Sequence, residues 1–197
     1  MHALLIAALV AGVGSSRQHP RPPADETTHA PEQVEQAETL SPAELRARID
    51  GYLGTIDTAI PAARWRALGP QAAGPLAEIA QSSALPTRRA QAIDGLAALG
   101  NKAAPSAAAL LVKLAQSEEE AQIVRLAAVR GAGRLLPASK LGPTLRPLLE
   151  KSRDLHVRAE AAQVLSRHGH CGAVRAQAAR ETDEEREAFG RALEKCQ

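Results

Sequence analysis

Two cysteines and an adjacent histidine pair carry the most obvious chemistry in this chain. Cys171 and Cys196 are its only thiols, and His168-Gly169-His170 runs directly into the first of them. Cys196 shares a stripe with Phe189 and Leu193 on a predicted final helix over about 184–196, and Cys171 opens the segment before it. A hairpin between the two would let the sulfurs meet. The resulting disulfide closes a loop of about 25 residues and contributes roughly 3 kcal/mol by restricting the unfolded chain. That reading goes with export; in a reducing cytoplasm the expectation is two free buried thiols. A zinc ion held by His168, His170, Cys171 and Cys196 is the further alternative. The ligand types suit zinc, but the spacing follows no structural zinc pattern, and a histidine at a helix C-terminus is stabilised by the dipole without a metal. No metal ligand and no cofactor is assigned.

Nucleophilic or hydrolytic catalysis needs a nucleophile with a base in reach. The chain has no Gly-x-Ser-x-Gly, no His-Glu-x-x-His and no phosphate-cradling glycine loop. Ser152 and His156 stand four apart at a helix boundary, a spacing common by chance. The acidic runs Glu118-Glu119-Glu120 and Glu181-Thr182-Asp183-Glu184-Glu185 fall at predicted helix N-termini, where negative charge complements the macrodipole. They read as helix starts rather than as a carboxylate site. Trp65, between Arg64 and Arg66, reads as a plug in a helix joint rather than a ligand anchor. No catalytic residue is assigned, and the chain is not expected to be an enzyme.

Whatever these residues do, helices must position them. Of 197 residues 45% are hydrophobic, but only 2% are aromatic, and Ala and Leu dominate the apolar set. Sparse Val, Ile and Thr argue against a β-sandwich or barrel, and the abundance of helix formers favours an all-α fold. Apolar residues recur at helical spacing at Ile93, Leu96, Ala97 and Gly100, at Ala107, Leu110, Leu111 and Leu114, and at Val157, Ala161, Val164, Leu165 and His168. Ser41-Pro42-Ala43-Glu44 carries an N-cap, a Pro at N1 and a capping-box Glu. Pro61, Pro70, Pro86, Pro105, Pro137 and Pro143 are placed at helix ends, where a missing N–H is harmless. Gly95, Gly131 and Gly133 fall inside helices, each at a cost of roughly 1 kcal/mol, and their use is close helix–helix approach.

The helices repeat. Ile79-Ala80-Gln81-Ser82, Leu114-Ala115-Gln116-Ser117 and Leu149-Glu150-Lys151-Ser152 recur at intervals of 35. Between them, segments opening on Arg89, Arg125 and Arg158 align with steps of 36 and 33. The unit is two helices long, with small residues at its turns (Leu68-Gly69, Leu99-Gly100, His168-Gly169). Arg153-Asp154-Leu155-His156-Val157-Arg158-Ala159-Glu160-Ala161-Ala162-Gln163-Val164-Leu165 resembles the first helix of HEAT-like repeats, and Pro143-Thr144-Leu145-Arg146-Pro147-Leu148-Leu149 resembles their second helix. The likeness covers roughly 61–169. It departs at Thr58, where an Arg belongs, and only the last repeat has the Asp. The resemblance implies an α-solenoid of about four antiparallel helix pairs with capping helices at both ends, each pair burying its apolar faces against its neighbours. It also implies an extended face for another protein, with Lys113, Arg146 and Lys151 as exposed candidates on the inner helices.

The N-terminus differs from this body. Ala3 to Val13 is an uncharged apolar segment of 11 residues followed by small residues, the length of a signal-peptide core and too short to span a bilayer. Residues 1–15 read as a signal peptide, although the n-region lacks Lys and Arg; a short apolar helix in a cytoplasmic protein is the alternative. Residues 16–40 are rich in Pro and Glu and read as a disordered linker. Residues 41–197 form the solenoid domain. Residues 17–40 carry a net −3, which leaves +5 on the domain, too mild to demand a polyanion. The expectation is a non-enzymatic protein-interaction scaffold of the cell envelope, periplasmic or secreted, with no stable membrane insertion after signal removal. Its partner is another protein rather than nucleic acid. The resemblance leaves two alternatives, a nucleic-acid-binding protein like the HEAT-like DNA glycosylases and a HEAT-like bilin lyase or its accessory subunit.

Overall fold

The computed structural model of the chain describes residues 40–55, 59–100, 103 and 105–197. The expected signal peptide and all of the expected linker but Leu40 lie outside the described residues. Within them are eleven α-helices and no strand: α1 Pro42–Leu53, α2 Ala62–Ala67, α3 Ala73–Ser82, α4 Pro86–Leu99, α5 Pro105–Gln116, α6 Gln122–Leu135, α7 Ala138–Lys151, α8 Leu155–Arg167, α9 Cys171–Ala178, α10 Asp183–Glu187 and α11 Gly190–Glu194. None of the described helices is long and apolar enough to cross a membrane.

Local chemistry explains where the helices start. Ser41 caps α1 with its side chain, and Glu44 returns the bond to the Ser41 backbone N–H, completing the capping box. Thr182 and Glu185 do the same for α10, and Asp154 accepts from the N–H groups of His156 and Val157 at the start of α8. Gly100 and Gly169 end α4 and the α8 turn with φ of 59° and 81°, a left-handed backbone that glycine takes without a Cβ clash.

The pairs α3/α4, α5/α6 and α7/α8 are antiparallel neighbours, stacked in two layers. One layer is α2, α4, α6 and α8, whose backbones approach closely; the other is α3, α5, α7 and α9, more widely spaced. The close layer is built from small residues. A Cβ on Gly131 would sit 2.6 Å from Leu111 Cδ1 on α5, and one on Gly133 would sit 2.5 Å from Val164 Cγ1 on α8. Hydrogen in place of methyl is what lets these helices meet. Ala, Leu, Val and Ile fill the seams, and the two bulkiest core residues stand near the ends. Trp65 is 2% exposed and meets Tyr52 edge-to-face at 5.3 Å, plugging the joint between α1 and α4. Phe189 is fully buried near the C-terminus.

Two expectations are corrected. Pro143 lies inside α7, as does Pro147, rather than at a helix end. Both rings face solvent, so the lost backbone bonds fall on the wet side while Leu141, Leu145, Leu148 and Leu149 bury the other. The single final helix is also broken into α10 and α11, because at Ala188 and Phe189 the backbone N–H groups bond three residues back, to Glu185 O and Arg186 O, instead of four.

Candidate functional site

Three clefts on the described surface bear on the candidate sites, and a row of arginines that holds the repeats together lies apart from them. These arginines determine which charges are structural. Arg89, Arg125 and Arg158 stand at the same place in α4, α6 and α8 and reach back to the C-terminal carbonyls of α3, α5 and α7. Arg89 Nε donates to Ala80 O at 2.8 Å, Arg125 Nε to Ala115 O at 3.3 Å, and Arg158 Nη1 to Ser152 O at 3.1 Å. Arg186 extends the row, donating from Nε to Ala178 O of α9 at 2.9 Å.

Three of the four also fork onto a carboxylate. Arg89 holds Glu120 at 2.7 and 2.8 Å, Arg125 holds Glu118 at 2.9 and 3.2 Å, and Arg158 holds Glu181 at 2.7 and 2.8 Å. The planar guanidinium suits this double duty, satisfying orphan carbonyls and a carboxylate together. Arg158 and Gln177 donate to Glu181 and hold its carboxyl below the usual glutamate range, against the opposing effect of burial. Glu118, Glu120 and Glu181 are therefore ion-pair partners rather than dipole complements; only Asp183, Glu184 and Glu185 occupy a helix first turn. Sequence reading found the recurring arginines but not this role. The carboxylates come from 31 residues ahead, 7 behind and 23 ahead, so no fixed spacing announces them.

Ser152 belongs to the same network. It is buried, and its hydroxyl takes a bond from Arg125 Nη2 at 3.0 Å, while His156 is exposed with no bond to it. The sulfurs of Cys171 and Cys196 are bonded to each other, with Cα atoms 5.3 Å apart, so neither is a thiolate for zinc. Among the described residues no group of three or more His, Cys, Asp or Glu could hold a metal. His170 packs over Gly142 on α7, and His168 is exposed.

The clefts lie on both layers. Arg146 and Lys151 are brought together beside His170, Pro143 and Pro147 in a cleft of about 420 Å³ on α7. Lys113 is separate from them, in a cleft of about 410 Å³ between α3 and α5 floored by Ala77 and Leu110. All three belong to the widely spaced layer. The third cleft, about 360 Å³, opens on the close layer between α2, α4 and α6, and sequence reading passed over it. Trp65, Ile60 and Ala98 form its apolar wall, and Asp94, Arg130 and Arg134 are its charged groups. Burial pushes the Asp94 carboxyl above its ordinary value although Arg130 and Arg134 favour its ionised form. Counted from the scaffold arginines, Asp94, Arg130 and Gln163 occupy the same register, as do Ala98, Arg134 and Arg167. The repeat keeps its scaffold arginines and changes its outward residues, a pattern that could have been read from the aligned segments.

Stacked antiparallel helix pairs joined by nearest-neighbour contacts define an α-solenoid. Residues 73–166, from the start of α3 nearly to the end of α8, match the family model of HEAT repeats, and the chain carries HEAT-like repeats over this span. Proteins built from such repeats are generally non-enzymatic scaffolds for protein–protein interaction. Comparison with curated proteins and with solved structures finds no match.

Proposed function

We propose that this chain is a non-enzymatic protein-interaction scaffold of the cell envelope. Residues 1–15 export it, residues 16–40 act as a spacer, and residues 41–197 present a docking surface to another protein. The observation that carries the reading is the repeat itself: a constant arginine ladder holds α3 to α8 in register while outward positions vary from repeat to repeat. The α5/α7 layer supplies the surface, with Lys113 in one cleft and Arg146 and Lys151 in the next. The Cys171–Cys196 bond supports export, because disulfides persist in oxidising compartments.

The test uses the full-length gene expressed with its own N-terminus. Mass spectrometry of the mature chain is expected to place its first residue near Ser15, and alkylation to find no free thiol. An intact Met1 with two free thiols overturns export. Affinity capture from the envelope fraction is then compared between wild type and the triple charge reversal Lys113→Glu, Arg146→Glu, Lys151→Glu. All three side chains are exposed, so the fold is expected to survive. A partner held by wild type and lost in the triple variant supports the docking layer; equal capture by both removes it.

A further inference from the structure

We propose that the cleft between α2, α4 and α6 is a binding site for a small dipolar ion carrying an ammonium and a carboxylate, of the size of one or two amino-acid residues. The site goes beyond the scaffold reading and lies on the opposite helix layer from Lys113, Arg146 and Lys151. It has two unlike poles. Asp94 is a half-buried carboxylate, and no hydrogen bond or ion pair reaches it from the described residues. A carboxylate partly withdrawn from water with no donor among the described residues carries a desolvation cost, and in a cleft that marks it as a candidate for a ligand's donor.

The opposite pole is Arg134, an exposed guanidinium one helical turn beyond Arg130 that makes no ion pair with the described residues. Arg130 is partly committed to Glu160, at 3.5 Å. The backbone fixes both poles on one seam. A Cβ at Gly131 would lie 3.4 Å from Ile93 and 3.5 Å from Ala97, so α4 and α6 touch there, with Asp94 and the two arginines flanking the contact. With Glu160 beside Arg130, the formal charges of Asp94, Glu160, Arg130 and Arg134 sum to zero. The site therefore suits a ligand that is charged at both ends and neutral overall.

Size and lining narrow the class. A volume of about 360 Å³ lies at the small end of ligand pockets and admits one or two residues rather than a folded segment. Ile60, Ala98 and the edge of Trp65 offer apolar contact to an aliphatic side chain. An ammonium would donate to Asp94, and a carboxylate would accept from Arg134, each bond charge-assisted at both ends.

Trp65 is the only tryptophan and lines the cleft, so its fluorescence reports occupancy directly, with calorimetry as the quantitative readout. The probes are L-leucine and L-alanyl-L-alanine, which separate a free amino acid from a dipeptide. Isopentylamine and 4-methylpentanoate carry one pole each. The expected result is a Kd of about 1 mM or tighter for at least one dipolar probe. Each single-pole analogue should bind at least tenfold more weakly, and D94N and R134Q should each lose at least tenfold. D94N removes a desolvated charge and R134Q an exposed one, so both variants are expected to fold, and their melting curves check this. Weaker binding than about 1 mM by both dipolar probes, equal binding of a single-pole analogue, or unchanged affinity in either variant overturns the proposal. None of these outcomes touches the docking layer, which is read by its own triple variant.

Discussion

Glu181 and Asp94 are carboxylates in opposite circumstances, and each predicts its own response to pH. Glu181, its side chain 5% exposed, receives the fork of Arg158 and the amide of Gln177. Its folded-state pKa lies below the unfolded one, so the pair's contribution is fully present above the ordinary value of about 4.3. That contribution is lost as pH falls through the lowered value. Glu181→Gln should destabilise the protein by about 2–3 kcal/mol at pH 7, since the mostly buried Arg158 is left with Glu185 as its one carboxylate partner. Urea denaturation at pH 7 and pH 3 checks this, and the gap between variant and wild type should narrow at the lower pH. For Asp94 the sign reverses. Its pKa is raised on folding, so its contribution is present below the unfolded value and lost as pH rises through the folded one. Asp94→Asn should therefore raise the melting temperature at pH 7 and leave it nearly unchanged at pH 3. A lower melting temperature at pH 7 would contradict the account of Asp94 as an unsatisfied charge.

Helices in this protein use glycine in two ways, and substitution separates them. Gly51 lies exposed in α1, and a Cβ there would meet nothing within 4 Å. Gly51→Ala should stabilise by about 1 kcal/mol through helix propensity alone. Gly133 lies in α6 against Val164, whose β-branched side chain is stiff at χ1 and cannot swing aside. Gly133→Ala should cost about 1–2 kcal/mol net, the strain of overpacking exceeding the propensity gain. Thermal melts of the two variants should move in opposite directions. The internal prolines of α7 teach a related lesson. A missing backbone bond is tolerated where it faces water, because the buried leucine row supplies the stabilisation that matters.

Over the described residues each helix pair packs on its neighbours along one continuous apolar seam, so damage at an end should stay at that end. The disulfide staples the last turns: it ties the start of α9 to the chain end just beyond α11, while Arg175 donates to the Cys196 carbonyl at 2.8 Å. Cys196→Ser should lower stability by roughly 3 kcal/mol, the loop-closure effect of about 25 residues. Hydrogen exchange should show 183–194 opening first while α4 and α6 keep their protection. Uniform loss of protection along the chain would mean that the repeats unfold as one cooperative body.

Much of this architecture was legible beforehand because it rests on local physics. Helical periodicity, the capping box at Ser41 and Glu44, the recurring arginines and the in-helix glycines are all properties of short segments. They determined an all-α solenoid of HEAT-like pairs and its approximate turns. The site was legible only in part. Arg146 and Lys151 are five residues apart and share a cleft, but Lys113 proved to belong to a different one. The carboxylates that serve the arginine ladder come from unequal distances along the chain. The cleft at Asp94 joins side chains from α4 and α6 that meet only because Gly131 lets the helices touch. Sequence alone determined which residues repeat. Tertiary structure decided which charges are neutralised inside the stack and which remain open to a ligand, because pairing depends on distances that no single repeat contains.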